Sequence, residues 1–371
     1  MTRLFIVAGE ASGDLQASLV IKEIRKLAPG IEISGYGGKL LKEQGVNIFR
    51  DLTQEAVTGF TEVIKKIPFF KKVLKEALLE IKRIRPRGVI FVDFPGFNLR
   101  LMPEVKKLGI KTIYYISPQI WAWGRKRIEV MRKYADLIIV FFKFEEEFYR
   151  RYGISAKFVG HPLVELVKPE IELKAFLNKY NLTPDKKRIF LMPGSRENEI
   201  RRHLPVIISA LKKLDSKKDV DFLLLKSPHI KNIPPIHDPL KLKIISEDIY
   251  SALFYSYAGI VASGTATLET TLALKPFMVV YKTSYLNYLI LRPQIRVPYI
   301  GMINLVADKL VVKEFIQKEF QPSKIKEELE RLINDEEYYA GIQRELEIVR
   351  RKLGPPGAQR RAAQYIMEFL S

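Results

Sequence analysis

Asp93 closes the apolar run of FVDFPGFNLRL, residues 91–101, and is followed by Pro95, Gly96 and Asn98. A carboxylate at the carboxyl edge of a buried strand faces the crevice where open parallel sheets hold ligands, which suits it to act as a general base. The same residue types also make an ordinary turn. Glu10 has an equivalent place in VAGEASGD, residues 7–14, just after the apolar run LFIVA. Many first strand-to-helix turns carry G-x-G-x-x-G and hold a dinucleotide pyrophosphate. Here Gly9 and Gly13 are joined by Glu10 and Asp14, two carboxylates that a pyrophosphate would avoid. Glu10 suits sugar hydroxyls better. Ser12 reads as an N-cap and Asp14 as a complement to the helix dipole.

Two further turns offer donors for an anion. LMPGSRENEI, residues 191–200, ends a strand in Pro-Gly-Ser-Arg and opens a helix, so that Ser195 and Arg196 lie where backbone amides and a guanidinium fork can meet phosphate oxygens. VASGTATLE, residues 261–269, repeats the device with Ser263, Gly264, Thr265, Ala266 and Thr267, small or hydroxylic residues that let a diphosphate approach the amides. Glu269 follows within reach of a ribose, whose two hydroxyls one carboxylate can accept from together; near a helix start it also complements the dipole. Either turn alone is weak evidence, since a surface turn can carry the same residues, but both in one domain point to a nucleoside diphosphate. YYISPQIWAWGRKRIEVM, residues 114–131, holds both tryptophans, Trp121 and Trp123, beside Arg125, Lys126 and Arg127. Such a pattern stacks on bases or packs a loop onto its domain, and packing is favoured. In residues 57–78, VTGFTEVIKKIPFFKKVLKEAL, the apolar residues Val63, Ile64, Ile67, Phe69, Phe70, Val73 and Leu74 stand among lysines that include Lys71 and Lys72. That profile fits a helix lying in a membrane interface and, equally, a core-facing helix with a solvated lysine face.

Each turn needs a strand before it and a helix after it. RLFIVA, IEISGYG, GVIFVDF, KTIYYI, DLIIVFF and AKFVG alternate with helical stretches in the first half, which predicts a doubly wound parallel sheet. A polar stretch with Pro169 and Pro184 follows, and the pattern restarts with RIFLM, DFLLLK, LKIIS, AGIVAS and FMVVY. The expected division is 1–165, 166–345 and a helical tail, 346–371, which is broken by GPPG and ends in the amphipathic AQRRAAQYIMEFL. Two such α/β domains facing each other would hold a ligand in the cleft between the carboxyl ends of their strands.

Composition narrows the chemistry. With 371 residues, 47% of them hydrophobic, the chain can build two cores of ordinary size. It has no cysteine, which excludes disulfides, thiolate nucleophiles and Cys-ligated metals. The four histidines, His161, His203, His229 and His237, lack ligand spacing, so no metal site is expected. No apolar run reaches the roughly 20 residues of a spanning helix and no leader precedes the first strand, so a cytoplasmic location is expected. A net charge of +20 asks for an anionic partner, whether nucleic acid, a phospholipid surface or a phosphorylated substrate. Much of it is lysine interleaved with glutamate, as in KEALLEIKRIR, which makes a solvated helix face.

With these motifs in hand, the chain resembles the lipid-A-disaccharide synthase family of glycosyltransferases. GEASGD, YYISPQIWAW, VGHPL, PGSRENEI and ASGTATLE stand in the family's order and span nearly the whole chain. The resemblance implies a GT-B architecture, two Rossmann-like doubly wound domains facing a central cleft, with 1–165 taking the acceptor and 166–345 the UDP-sugar donor. It implies inverting transfer of 2,3-diacylglucosamine from UDP-2,3-diacylglucosamine to 2,3-diacylglucosamine 1-phosphate (lipid X), giving a β-1′,6-linked disaccharide and UDP. By resemblance Asp93 is the base for the acceptor 6-hydroxyl, ionised at an ordinary pKa of about 3.9. Glu10, Ser12, Gly13 and Asn98 fall to the acceptor. Ser195, Arg196, the Ser263–Thr267 loop and Glu269 fall to the donor and would stabilise the departing diphosphate without a metal or other cofactor. Where family members often carry an acid this chain has Gly96, leaving Asp93 the sole carboxylate of its motif. A family Leu-Pro-Asn stands here as Met302, Ile303 and Asn304, of which Asn304 alone is carried over as a donor residue.

The acylated substrates imply peripheral docking on the anionic inner face of the cytoplasmic membrane, through Ile67, Phe69, Phe70, Lys71 and Lys72; a homodimer stays open. Two other classes compete. A UDP-sugar epimerase shares the fold and nucleotide site but has no use for an interfacial segment. A nucleic-acid-binding protein would explain the charge but would not need two anion turns in one domain, so no nucleic-acid partner is expected.

Overall fold

The computed structural model describes residues 2–53, 60–122, 127–214, 220–227, 230, 233, 240–284, 288–289, 292 and 297–371, with the side chains of 60–65 left aside. Val63, Ile64, Trp123, Arg125, Lys126, His229 and His237 therefore lie outside the described residues or side chains. The chain divides into two units, Met1–Pro162 together with Pro355–Ser371, and Leu163–Gly354.

In the first unit the strands β1 (Arg3–Ala8), β2 (Glu32–Gly37), β3 (Asn47–Asp51), β4 (Gly88–Val92), β5 (Lys111–Tyr115), β6 (Leu137–Val140) and β7 (Ala156–Phe158) form one sheet in the order β3-β2-β1-β4-β5-β6-β7. Each strand pair is parallel. Successive residues of β1 point to opposite faces: Leu4, Ile6 and Ala8 join one core, Phe5 and Val7 the other. Helices α1 (Ala11–Leu27) and α2 (Lys39–Glu43) accompany the first face. Helices α3 (Phe60–Ile84), α4 (Pro95–Lys107), α5 (Ile128–Tyr134) and α6 (Lys143–Arg151) contribute to the second. The alternation read from the sequence is thus a doubly wound sheet, as expected, with one addition. NIFRD, β3, lacks an apolar run because it is an edge strand with no fully buried residue.

The second unit begins with α7 (Leu163–Leu166) and α8 (Leu173–Tyr180). It continues through β8 (Lys187–Met192), α9 (Glu197–Lys212), β9 (Val220–Leu225), β10 (Lys243–Ile245), α10 (Ile249–Phe254), β11 (Ala258–Ala262), α11 (Ala266–Leu272), β12 (Phe277–Tyr281) and β13 (Glu314–Ile316). The sheet order is β10-β9-β8-β11-β12-β13, again parallel throughout. The three-residue β13 was also missed in the sequence, for the same reason: it is a short edge strand.

The tail departs from expectation. The helix Glu336–Lys352 runs unbroken across the expected 345/346 boundary and ends at Gly354, whose φ of +86° and following Pro355 and Pro356 stop it. The C-terminal helix Ala358–Leu370 is no third domain. It packs on α1, burying Ala358, Ala362, Ala363, Ile366 and Leu370 in the core that holds Leu4 and Ile6. Arg361 fixes its start by donating to the carbonyl of Val159 through Nε at 2.9 Å and Nη2 at 2.7 Å.

Candidate active site

Both sheets reverse their strand order at one place, between β1 and β4 in the first unit and between β8 and β11 in the second. Ligands of open α/β sheets bind just beyond the carboxyl ends of the strands at such reversals. The four turns singled out in the sequence follow these four strands: Gly9–Glu10 after β1, Asp93 after β4, Pro193–Arg196 after β8 and Ser263–Thr265 after β11.

The Asp93 turn is unusual in its backbone. Asp93 and Phe94 both adopt left-handed conformations, at φ of 44° and 45°. For residues with a Cβ each such conformation costs on the order of 1–3 kcal/mol, so the surroundings must hold it. Asp93 N donates to Tyr115 O at 3.0 Å, and the Asp93 carbonyl accepts from the Tyr114 hydroxyl at 2.7 Å and from Asn98 Nδ2 at 2.8 Å. The Phe94 ring is thrown over the β1 turn, where a Cβ at Gly9 would lie 2.2 Å from it. That explains Gly9 without a pyrophosphate. The ring stacks on Phe97 at 5.6 Å and meets the edge of Phe70 at 5.7 Å.

The carboxyl of Asp93 is not the ordinary one expected. Burial, then the nearby Glu10 carboxylate, push its pKa up from 3.8 to about 6, against a backbone hydrogen bond from Phe94 that favours the charged form. Glu10 itself is exposed, at the N-cap position of α1, and makes no capping bond. Ser12 is therefore not the cap; it stands exposed inside the first turn. Gly13 is buried beside Val92, where a Cβ would make only an ordinary contact at 3.8 Å, so packing alone does not demand glycine there. Asp14 serves another helix: buried, it accepts from the amides of Gly38 at 2.7 Å and Leu40 at 3.0 Å, capping α2. Asn98 does not face an acceptor. It is wholly buried, and its amide donates to the carbonyls of Asp93 and, at 3.3 Å, Val92.

In the second unit the β8 turn already holds a carboxylate. Glu199 bends back to accept from Ser195 N at 3.0 Å and Arg196 N at 3.3 Å, and lies 3.4 Å from Arg196 Nη1. It closes a capping box, the spacing of which is visible in the sequence as a glutamate three residues after the cap. Ser195 and Arg196 are exposed, and a diphosphate there would compete with Glu199. Beneath the turn, His203 is buried and neutral: its Nδ1 faces Pro193 O at 2.6 Å while Nε2 accepts from Lys282 N at 2.8 Å, and burial lowers its pKa.

The β11 turn is open. Gly264 has φ of +149° with empty space where a Cβ would be, and the amides of Gly264 and Thr265 have no hydrogen-bond partner among the described residues. Ser263 Oγ donates to Ile300 O at 2.8 Å. Ala266 is half-buried at the start of α11, and Thr265 is exposed. Thr267 is buried and donates to Gly264 O at 2.8 Å, so its hydroxyl shapes the turn instead of meeting a ligand. Glu269 is half-buried beside the Tyr250 hydroxyl, 3.4 Å away, with its pKa raised by burial. Asn304 likewise turns inward. Fully buried, it donates to Val312 O and Glu314 Oε1, both at 2.8 Å, and accepts from Val311 N and Val312 N, leaving nothing for a donor substrate.

Helix α3 carries the lysine-rich segment. Val73, Ala77 and Ile81 are buried at four-residue spacing, and Phe69 and Phe70 are half-buried against the same core. The two phenylalanines, expected among the membrane-docking residues, instead pack against the core of their own unit. Ile67, at 43% exposure, with Lys71 and Lys72, forms the outward face. Among the described residues no helix is long and apolar enough to cross a membrane. Trp121 packs within its unit, its Nε1 donating to buried Glu145 at 3.1 Å, and burial raises that carboxyl to about 7.

Two parallel α/β sheets, each reversing its strand order between two strands that end in the turns described, define the GT-B class of fold. A UDP-GlcNAc 2-epimerase from Neisseria meningitidis bound to UDP-GlcNAc superposes with a TM-score of 0.66 at 13% identity, covering 99% of this chain and 100% of that one. CalG4, the calicheamicin glycosyltransferase, gives 0.62 at 14%, covering 100% and 98%. Those likenesses are of fold alone and include both enzyme classes; sequence separates them. The family model for lipid-A-disaccharide synthetase matches residues 4–369. The lipid-A-disaccharide synthase of Syntrophus aciditrophicus is 39% identical over 366 residues, 97% of this chain and 96% of that protein, and that of Persephonella marina is 36% identical over 384 residues, 100% and 99%. The chain belongs to the lipid-A-disaccharide synthase family, and with it to the glycosyltransferases that build the lipid A disaccharide.

Proposed function

We propose that the enzyme transfers 2,3-diacylglucosamine from UDP-2,3-diacylglucosamine to 2,3-diacylglucosamine 1-phosphate, with Asp93 as the base. The acceptor 6-hydroxyl loses its proton to the Asp93 carboxylate as its oxygen bonds to the donor's anomeric carbon. The bond from that carbon to the diphosphate breaks on the opposite face, inverting the centre and releasing UDP. The observation that carries this reading is a carboxyl at the strand-order reversal of the first unit, its pKa raised to about 6 by burial and Glu10. A base poised close to neutral pH accepts a proton more effectively than one at 4 while staying mostly ionised.

The unpartnered amides of Gly264 and Thr265 are suited to the diphosphate, and Glu269 to the ribose, so the donor falls to the second unit. Arg196 adds its guanidinium once a phosphate oxygen displaces Glu199. The charge on the departing diphosphate is met by these groups, and the reading calls for no metal. Docking on the inner face of the cytoplasmic membrane falls to the outward face of α3. The test is thin-layer separation of products with Asp93→Asn, which should bind UDP normally and lose on the order of 10²–10⁴ in kcat. Near-normal turnover would remove Asp93 from the reaction.

A further inference from the structure

Asp93 sits in a backbone conformation that its own side chain disfavours, and the group that meets its carbonyl comes from a different strand. Tyr114, on β5, is fully buried, and its ring stacks on Phe91 at 6.3 Å. A phenylalanine would fill that space as well; only the hydroxyl reaches the Asp93 carbonyl, at 2.7 Å. The same carbonyl takes Asn98 Nδ2 at 2.8 Å, so two buried donors converge on one oxygen. With Asp93 N held by Tyr115 O, a return to negative φ would turn the residue about its N–Cα bond, swinging Cβ away and carrying the carbonyl out of reach of both donors, so the two bonds to that oxygen oppose it.

We infer that Tyr114 is a positioning residue for the transfer step: its hydroxyl locks the left-handed turn and thereby aims the Asp93 carboxylate. The inference rests on Asp93 as the base. Glu10 faces Asp93 from the β1 turn and Tyr114 faces it from β5, while Tyr149 and Arg127 bear on Tyr114.

The test compares Tyr114→Phe and Asp93→Asn with the wild type in steady-state kinetics across pH, with circular dichroism to confirm folding. For Tyr114→Phe a roughly ten- to hundredfold fall in kcat is expected, the scale of a misplaced reacting group, with KM for donor and acceptor within about twofold. The acid limb of kcat/KM should move to lower pH, because a carboxylate released from the turn gains water. Loss through KM alone, or an unmoved acid limb, would mean a merely structural hydroxyl and overturn the inference. If Asp93→Asn is inactive while Tyr114→Phe turns over normally, the base stands and the Tyr114 role falls; if Asp93→Asn is active, both fall. Should Tyr114→Phe not fold, Asn98→Ser removes the other donor to the same carbonyl. The same kcat loss and acid-limb shift in Asn98→Ser support the locked turn, and unchanged kinetics overturn it.

Discussion

Asp93 shows what a side chain gives up to be useful. In the unfolded chain it releases its proton near the usual 3.8, in the folded protein near 6, because burial and Glu10 disfavour the charged form. Between those values the folded state holds more protons than the unfolded one, so stability falls as pH rises through the window. The full cost is present above about pH 6 and absent below about pH 4. Asp93→Asn should therefore be more stable than wild type by about 1–3 kcal/mol near pH 8, with the gain shrinking toward pH 4.5. Urea midpoints at the two pH values check it, and a gain equal at both would mean that ionisation is not its cause. The residue's place at the end of a buried strand was legible in the sequence, because FVDF is an apolar run that stops at a charge. Its raised pKa was not, since Glu10 is 83 positions away in the chain by number and adjacent only through the pairing of β1 with β4. Tyr114 belongs to the same class: its reach to the Asp93 carbonyl depends on the pairing of β4 with β5.

Elements were read most securely where a strand is buried on both faces. β1, β4 and β11 are continuous apolar runs, whereas β3 and β13, at sheet edges, carry no such signal. Helix α3 was ambiguous because a helix on a core and a helix on a membrane share one apolar profile; burial separates its two faces. Phe69 and Phe70 look inward, so changing them would remove core packing and say little about a membrane. The informative change is on the other face. Ile67→Glu, Lys71→Glu and Lys72→Glu together should release the protein from anionic vesicles in flotation while leaving the melting temperature and the activity on detergent-dispersed substrate largely intact. Each lysine contributes on the order of 1 kcal/mol at an anionic surface, and this share fades with added salt. A triple variant that floats as well as wild type would remove α3 from the membrane.

At the scale of the whole molecule, the chain leaves its first unit at Pro162 and returns to it at Pro355. The sequence announced the tail helix as amphipathic, and therefore as packed on something, but a helix face carries no address. Its small residues Ala358, Ala362 and Ala363 supply the reason it fits α1, allowing close approach, while Ile366 and Leu370 reach the core. The first unit is consequently incomplete without Pro355–Ser371, and the stability of its Asp93 turn depends on residues far away in the chain. Ile366→Ala should cost about 2–5 kcal/mol, the range for emptying a fully buried aliphatic site. The loss should be confined by the division of the chain: hydrogen exchange should quicken in β1 and α1, while β8, β11 and UDP affinity measured by calorimetry stay as in wild type. Faster exchange spread evenly over both units would mean that they unfold as one body and that the tail's contribution is not local.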